Sequence, residues 1–297
     1  MLRMVYAQFL HRQFVVVNAG IQIFLSWSKF IKQNFFIMTI IVPTDFSHVA
    51  DNAAQYAAKM VTGHYDAHLV LFHVYHKASE ADEANKHLEK LKTELRQLGI
   101  SKIESRIEES SDIIESLERL ARHLDAQLIV MGITGKSRLE KVFMGSNTLK
   151  IVERNVCPVL IVPPSAQYSE IKNVCLLSDF VNVMGTIPEV PIKNALEIFR
   201  PALHIMNVNS THYVSLTEEF LAERNRMLEM FNKFNPEFYF IGTYDLHETA
   251  QQFVLDKKID MLITIPRNHS FFGSMFKTSN TKRLVYETAI PILAAHE

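Results

Sequence analysis

The sequence predicts an α/β protein made of two tandem copies of one unit, each with a parallel sheet. Short apolar runs alternate with amphipathic segments along residues 39–163, and the same order of segments returns along residues 170–297. Strands that alternate with helices form parallel sheets with right-handed crossovers. The chain has 297 residues, 48% apolar and 21% charged, which is enough for about two domains with substantial cores.

The strands of the first unit are short runs rich in β-branched residues. Residues 39–43 (TIIVP) and 67–74 (AHLVLFHV) have the pattern of buried strands. Residues 101–109 (SKIESRIEE) alternate between apolar and polar, as a half-covered edge strand does. Residues 128–131 (LIVM) and 157–163 (CPVLIVP) complete a set of five predicted strands.

Each predicted helix of this unit has one apolar face. Small residues share one face of residues 47–62, which favours close packing on a sheet. The second helix ends at Gly99, and Asp112 with Glu115 forms a start like a capping box for the third. The fourth helix runs from about residue 146 to residue 154. The second helix has its apolar residues alternately four and three apart, at Ala84, Leu88, Leu91, Leu95 and Leu98.

The second copy follows the first at a nearly constant offset. At this offset Asp179 corresponds to Asp45, and Pro291 corresponds to Pro158. The segments that match are KNVCLLSDF with TIIVPTDF, IDMLITIP with AQLIVMGI, and AIPILAAH with VCPVLIVP. This repeat predicts a first domain at 38–164, a polar linker near PPSAQYSE, and a second domain at 170–297.

The first 37 residues differ in composition from the rest. No Asp or Glu precedes Asp45, and the apolar stretch 14–27 is too short and too polar to span a bilayer. We interpret residues 1–37 as a non-native, misassigned or poorly ordered extension upstream of an authentic start at Met38. The alternative is a helix that lies on a membrane surface.

Composition excludes several classes of function. A net charge of −1 gives no basic field for nucleic acid. Cys157 and Cys175 lie in short apolar runs, where a thiol behaves as a small buried hydrophobe, and this fits a reducing cytoplasm. The scattered histidines have no Cys or carboxylate cluster beside them, so no metal site is predicted in the protein itself.

The loop after the fourth predicted strand has the features of a phosphate cradle. Its glycines leave main-chain N–H groups accessible to an anion. The helix that begins at residue 146 adds free amides and a favourable dipole, and a lysine adds positive charge. The residues expected at the phosphates are Gly132, Gly135, Lys136, Gly145, Ser146 and Asn147.

The ends of the first and fourth predicted strands should flank the same crevice. Open parallel sheets bind ligands beyond the carboxyl ends of their strands, where the strand order reverses. Pro43, Thr44 and Asp45 follow the first strand, and Met131 ends the fourth. Asp45 has a second interpretation, as a cap of the helix that starts near Ser47. Met131 fits packing better than specificity.

These motifs together resemble those of the universal stress protein family. The pattern G-x-x-G, nine residues, G-[ST] is formed by Gly132, Gly135, Gly145 and Ser146, and it resembles the nucleotide-binding signature of that family. IIVPTDFS, FHVY and CPVLIVP extend the likeness over residues 39–163. The resemblance implies two flavodoxin-like units of the adenine nucleotide alpha hydrolase-like type, each with strand order 3-2-1-4-5.

The resemblance also implies roles for particular residues. Asp45 would accept a hydrogen bond from the adenine amino group, and Pro43 and Thr44 would shape that wall. Val74 would contact the base through its main chain. ATP would be the ligand. Mg²⁺ would bridge its phosphates, because the loop offers no carboxylate set to hold a cation alone.

The second copy departs from the signature at every glycine. Ile265, Asn268 and Thr278 stand where the first copy has Gly132, Gly135 and Gly145. We therefore expect a degenerate packing partner that binds no nucleotide. Its loop carries four large apolar residues that either fill its own crevice or dock a partner, namely Phe271, Phe272, Met275 and Phe276.

The expected function is that of a cytoplasmic, ATP-binding sensor or regulator in a stress response, in which the two copies pair within one chain. A slow ATPase and a nucleotide-free structural or adaptor protein are the alternatives. No catalytic residues are predicted, and association of two chains into a homodimer is left open.

Overall fold

The computed structural model describes residues 38–133, 146–207, 217–240, 252–266 and 289–296. Residues 39–297 form one compact unit. The expected extension at 1–37, the apolar loop at 271–276, and Gly135, Lys136 and Gly145 lie outside the described residues. None of the helices in the described ranges is long and apolar enough to cross a membrane.

The first half is the predicted five-stranded unit. Neighbouring strands follow the order β3-β2-β1-β4-β5, which confirms the expected order. Its strands are β1 (Met38–Pro43), β2 (Ala67–Tyr75), β3 (Ile103–Glu109), β4 (Leu128–Gly132) and β5 (Val159–Val162). Its helices are α1 (His48–Met60), α2 (Ala81–Arg96), α3 (Ile113–His123) and α4 (Ser146–Glu153), with a 3₁₀ turn at Ala78–Glu80.

The second half has the equivalent strand order, which runs across the sheet in the opposite direction, as β10-β9-β6-β7-β8. Its strands are β6 (Asn173–Ser178), β7 (Ala202–Asn207), β8 (Glu237–Phe240), β9 (Met261–Thr264) and β10 (Ile292–Ala294). Its helices in the described ranges include α5 (Val183–Thr186), α6 (Glu189–Phe199) and α7 (Glu218–Met230), with a 3₁₀ turn at Asn232–Phe234.

The last strands of the two halves join the sheets into one. β5 and β10 pair in antiparallel fashion, with Leu293 opposite Leu160, while the neighbouring pairs β4–β5 and β9–β10 are parallel. One apolar cluster on a single face of the sheet contains Ile41 and Met131 of the first half together with Leu177 and Met206 of the second. The halves therefore share a core, and burial of this apolar surface stabilises their pairing.

The segment predicted as a polar linker is packed on the first half. Asn52 of α1 donates from its Nδ2 to the carbonyl oxygens of Pro163 and Ala166, each at 3.1 Å. The ring of Tyr168 meets the buried ring of Tyr56 edge-on, with centroids 5.3 Å apart. Burial also raises the pKa of Tyr56. The connection between the halves is thus an ordered part of the fold rather than a flexible tether.

Candidate functional site

The candidate site lies at the carboxyl ends of β1, β2 and β4. β1 lies between β2 and β4 in the sheet, and the chain passes to one side of it for β2 and β3 and to the other for β4. This is the point where strand order reverses, and such points form the binding crevices of open parallel sheets.

A tight turn follows β1 and places Asp45 at this edge. Asp45 Oδ1 accepts a hydrogen bond from the Ser47 N–H at 2.9 Å, and Thr44 Oγ1 accepts one from the Phe46 N–H at 3.0 Å. Phe46 has a left-handed backbone with φ of 59°, which is uncommon for a bulky residue. Ser47, rather than Asp45, caps α1, because its Oγ accepts from the Ala50 N–H at 3.2 Å. Asp45 therefore shapes the approach to the helix.

Val74 presents its main chain toward the same edge. The bonds from Leu69 N–H to Lys102 O, and from Ser110 N–H to Tyr75 O, show that odd-numbered residues of β2 face β3. The bond from Thr44 N–H to Phe72 O, at 2.8 Å, shows that even-numbered residues face β1. By this alternation the N–H and C=O of Val74 point to the β1 side, one step beyond the end of β1. Among the described residues, no backbone hydrogen bond joins Val74 N–H to Thr44 O.

Gly132 at the end of β4 is required by helix packing. A Cβ built on it would lie 2.5 Å from Val49 Cγ1 and 2.9 Å from Val49 O, so α1 can sit this close only over a glycine. The Gly132 carbonyl accepts a hydrogen bond from the buried Thr148 Oγ1 at 3.0 Å. This bond holds the first turn of α4 beside the strand end.

The structure brings part of the predicted site together. Pro43 and Thr44 are buried at the end of β1, and Asp45 and Val74 are half-buried beside them. Met131 belongs to the apolar cluster, in line with a packing role. Asn147 is exposed in the first turn of α4. Gly135, Lys136, Gly145 and the side chain of Ser146 lie outside the described residues, so the phosphate cradle remains a prediction.

Sequence reasoning missed two residues at this edge. The His73 Nδ1 lies 2.7 Å from the Thr44 carbonyl oxygen. The Phe46 ring packs on the His73 ring with centroids 4.3 Å apart, and it also meets the His87 ring, with centroids 4.9 Å apart. A signal was present in FHVY, where one polar residue interrupts an apolar strand next to its end.

Burial shifts the pKa values of two groups near this edge and in the first half's core. Burial is the largest cause that raises the pKa of Asp51 in the first turn of α1, and the carboxylates of Glu94 and Asp45 raise it further. Burial raises the pKa of Cys157 to about 12, so this thiol stays protonated and unreactive at neutral pH. Within the described ranges, no group of three or more His, Cys, Asp or Glu residues is arranged to hold a metal ion.

The turn that follows β1 recurs after β6 in the second half, but different residues surround it there. Asp179 Oδ1 accepts from the Val181 N–H at 3.1 Å, and Ser178 Oγ accepts from the Phe180 N–H at 3.1 Å. Phe180 is left-handed, with φ of 57°. Its ring is buried in an aromatic cluster with ring centroids within 6.0 Å, formed with Phe220, Phe238 and Phe240.

A carboxylate lies at the helix start of the second half. The Glu223 Oε2 of α7 accepts a hydrogen bond from the Val183 N–H, the first residue of α5, at 2.8 Å. The other oxygen of this carboxylate pairs with Arg226, so the charge of Glu223 is already balanced within the second half. Ile265 replaces Gly132 at the end of the fourth strand. The two crevices are therefore chemically distinct.

The fold and this crevice define a tandem α/β protein with two doubly wound parallel units. Residues 37–163 match the model of the Universal stress protein family. A universal stress protein of Methanocaldococcus jannaschii is 31% identical over 139 residues, which cover 41% of this chain and 80% of that protein. The chain belongs to the universal stress protein family.

Solved structures extend the likeness to both halves. The crystal structure of a universal stress protein from Archaeoglobus fulgidus superimposes with a TM-score of 0.64 at 15% identity, and the match covers 89% of this chain and 98% of that one. A universal stress protein in complex with cAMP is 25% identical, with a TM-score of 0.37, over 43% of this chain and 98% of that one.

Proposed function

We propose that this protein is an ATP-binding regulator of a stress response, with nucleotide held in the first half and the second half acting as its packing partner. The observation that carries the proposal is the pairing of the Asp45 turn with the main chain of Val74 at the switch point of the sheet. An N–H and a carboxylate on one edge complement the N1 acceptor and the amino group of adenine.

The phosphates would lie toward α4. The bond from Thr148 to Gly132 fixes the helix start beside β4, and unpaired amides at a helix N-terminus favour anions. Gly135, Lys136, Gly145 and Ser146 would complete the cradle. Because the described residues hold no cluster of metal ligands, Mg²⁺ would be bound chiefly by phosphate oxygens, and it would neutralise part of their charge.

The second half would contribute stability and a surface rather than a second nucleotide. Its aromatic cluster and the Glu223 carboxylate support this role. Occupancy of the first crevice would then alter contacts across the shared core, and this is the form of regulation that the architecture suits. The domain boundaries at 38–164 and 170–297, a cytoplasmic location and a possible homodimer belong to the same proposal.

Bound nucleotide can be measured directly. Mass spectrometry of ligand released from freshly purified protein should detect ATP or ADP, and calorimetric titration should give one site per chain. Gly135→Val should abolish binding, because a branched side chain would obstruct the phosphate. Asn268→Val is the matched control at the equivalent place in the second half, and it should bind as wild type does.

Other results would favour the alternatives. Absence of nucleotide, with no binding by titration, would indicate a structural or adaptor protein. Phosphate release in a single-turnover assay, lost in Gly135→Val, would indicate a slow ATPase.

A further inference from the structure

We propose that His73 is a positioning residue that keeps the Val74 N–H available for the base of the nucleotide. The inference rests on the proposed function for its ligand, and on the geometry of β1 and β2 for everything else. His73 is not expected to touch the nucleotide itself.

The His73 side chain takes the place of a sheet hydrogen bond. In a regular parallel ladder, the bond from Thr44 N–H to Phe72 O is followed by one from Val74 N–H to Thr44 O. Here the Thr44 carbonyl instead has His73 Nδ1 at 2.7 Å. A carbonyl oxygen only accepts, so Nδ1 carries the proton and donates. The Val74 N–H is thereby released from the sheet while it still points toward the crevice.

The imidazole is held in this orientation by its neighbours. The Phe46 ring lies against it at 4.3 Å and is backed by His87 of α2 at 4.9 Å. Phe46 needs its left-handed backbone to reach this place, and the Thr44 Oγ1 bond to its N–H supports that conformation. All of these contacts are made by the protein's own residues, so the donor at Val74 is preorganised.

A free donor at Val74 would decide which purine binds. The N1 of adenine accepts a hydrogen bond, whereas the N1 of guanine carries a hydrogen. Asp45 would accept from the adenine amino group, and guanine has a carbonyl oxygen in that place. A site with a donor at Val74 and an acceptor at Asp45 is therefore mismatched with guanine at both positions, and mismatched buried polar groups are costly.

Two substitutions at position 73 separate the donor from the shape of the side chain. The Nδ2 of an asparagine at position 73 can stand near the place of the histidine Nδ1 and can also donate. Leucine has the shape of asparagine without a donor. His73→Asn and His73→Leu thus form a matched pair.

The first test needs no nucleotide. Amide hydrogen exchange followed by NMR should show a fast-exchanging Val74 N–H in the wild type and in His73→Asn. In His73→Leu the Val74 N–H would instead donate to the Thr44 carbonyl oxygen, and its exchange should be at least tenfold slower. The Leu69 amide, bonded to Lys102 O, is the protected reference in all three. A Val74 amide already as protected as Leu69 in the wild type would overturn the inference.

The second test measures base selectivity. His73→Leu should lose about tenfold in ATP affinity, which corresponds to one ordinary hydrogen bond, and should lose preference over GTP. His73→Asn should keep both, and binding of inorganic tripolyphosphate should not change. Unaltered ATP and GTP affinities in His73→Leu would refute the role. If the wild type binds no ATP, the proposed function fails, while the exchange measurement still decides whether His73 releases Val74.

Discussion

The two halves carry the same turn after their first strand, and they differ in what surrounds it. Asp45 and Asp179 each accept the N–H two residues ahead, at 2.9 and 3.1 Å, and each precedes a left-handed phenylalanine. Because the second half keeps this turn where an aromatic cluster buries the Phe180 ring, the turn is a structural device of the fold. An aspartate at this point does not by itself mark a nucleotide site.

What separates the halves is the packing of the helix after the turn. α1 has 13 residues, and its Val49 fits against Gly132. The equivalent α5 has four residues and ends before Pro188, and the strand opposite, β9, is followed by Ile265. A glycine is needed only where the helix presses on the strand end. The contact between Val49 and Gly132 that shapes the first crevice therefore has no equivalent glycine in the second half.

The largest contrast is expected for the two phenylalanines. Phe180→Ala should destabilise the protein by about 3–5 kcal/mol, because it removes a buried ring and leaves a cavity in its place. Phe46→Ala should cost only about 1–2 kcal/mol, since its ring is half-buried. Urea unfolding of both variants measures the difference. Equal losses would mean that the aromatic cluster does not support the second half.

The next contrast concerns His296, which stands where the first half has Pro163. His296 is 5% exposed, and neither ring nitrogen has a hydrogen-bond partner within the part of the chain that the structure describes. Burial lowers the pKa of His296 to about 4, below its unfolded value near 6.5. The neutral ring is therefore favoured in the folded state. The contribution of the neutral His296 ring to the free energy of unfolding is present above pH 6.5 and is lost as the pH falls toward 4.

The size of this pH effect follows from the shift. About 2–3 kcal/mol of stability should be lost between pH 7 and pH 4 through this residue. His296→Leu should remove that part of the acid sensitivity, while the acid sensitivity that comes from the carboxylates should remain. Urea midpoints of wild type and variant at several pH values give the comparison. Parallel curves for the two proteins would contradict the assignment.

The smallest contrast is between the two aspartates. Asp45→Ala should weaken ATP binding about tenfold and reduce discrimination against GTP, because one hydrogen bond to the amino group is lost. Asp179→Ala removes the same turn bond from the second half and serves as the control. It should leave nucleotide binding as it is in the wild type. Similar losses of ATP affinity in both variants would show that Asp45 acts only through the turn.

Periodicity and spacing predicted most of the fold. The apolar runs gave strands within a few residues of those observed, and the family resemblance gave the order 3-2-1-4-5, which is confirmed. These features are local, because burial on both faces of a strand, or on one face of a helix, leaves its period in the chain. The role of Gly135 and Gly145 at the phosphates stays a prediction.

The tertiary structure decided what depends on contacts distant in sequence. The antiparallel joint of β5 and β10, and the packing of Pro163 and Ala166 on Asn52, leave no periodic trace. The same is true of Gly132, whose missing Cβ is explained only by Val49. His73 is the clearest case, because its bond to Thr44 exists only once two strands lie side by side. Amino-acid sequence determines which segments bury their faces, whereas the meeting of strand ends determines which donors remain for a ligand.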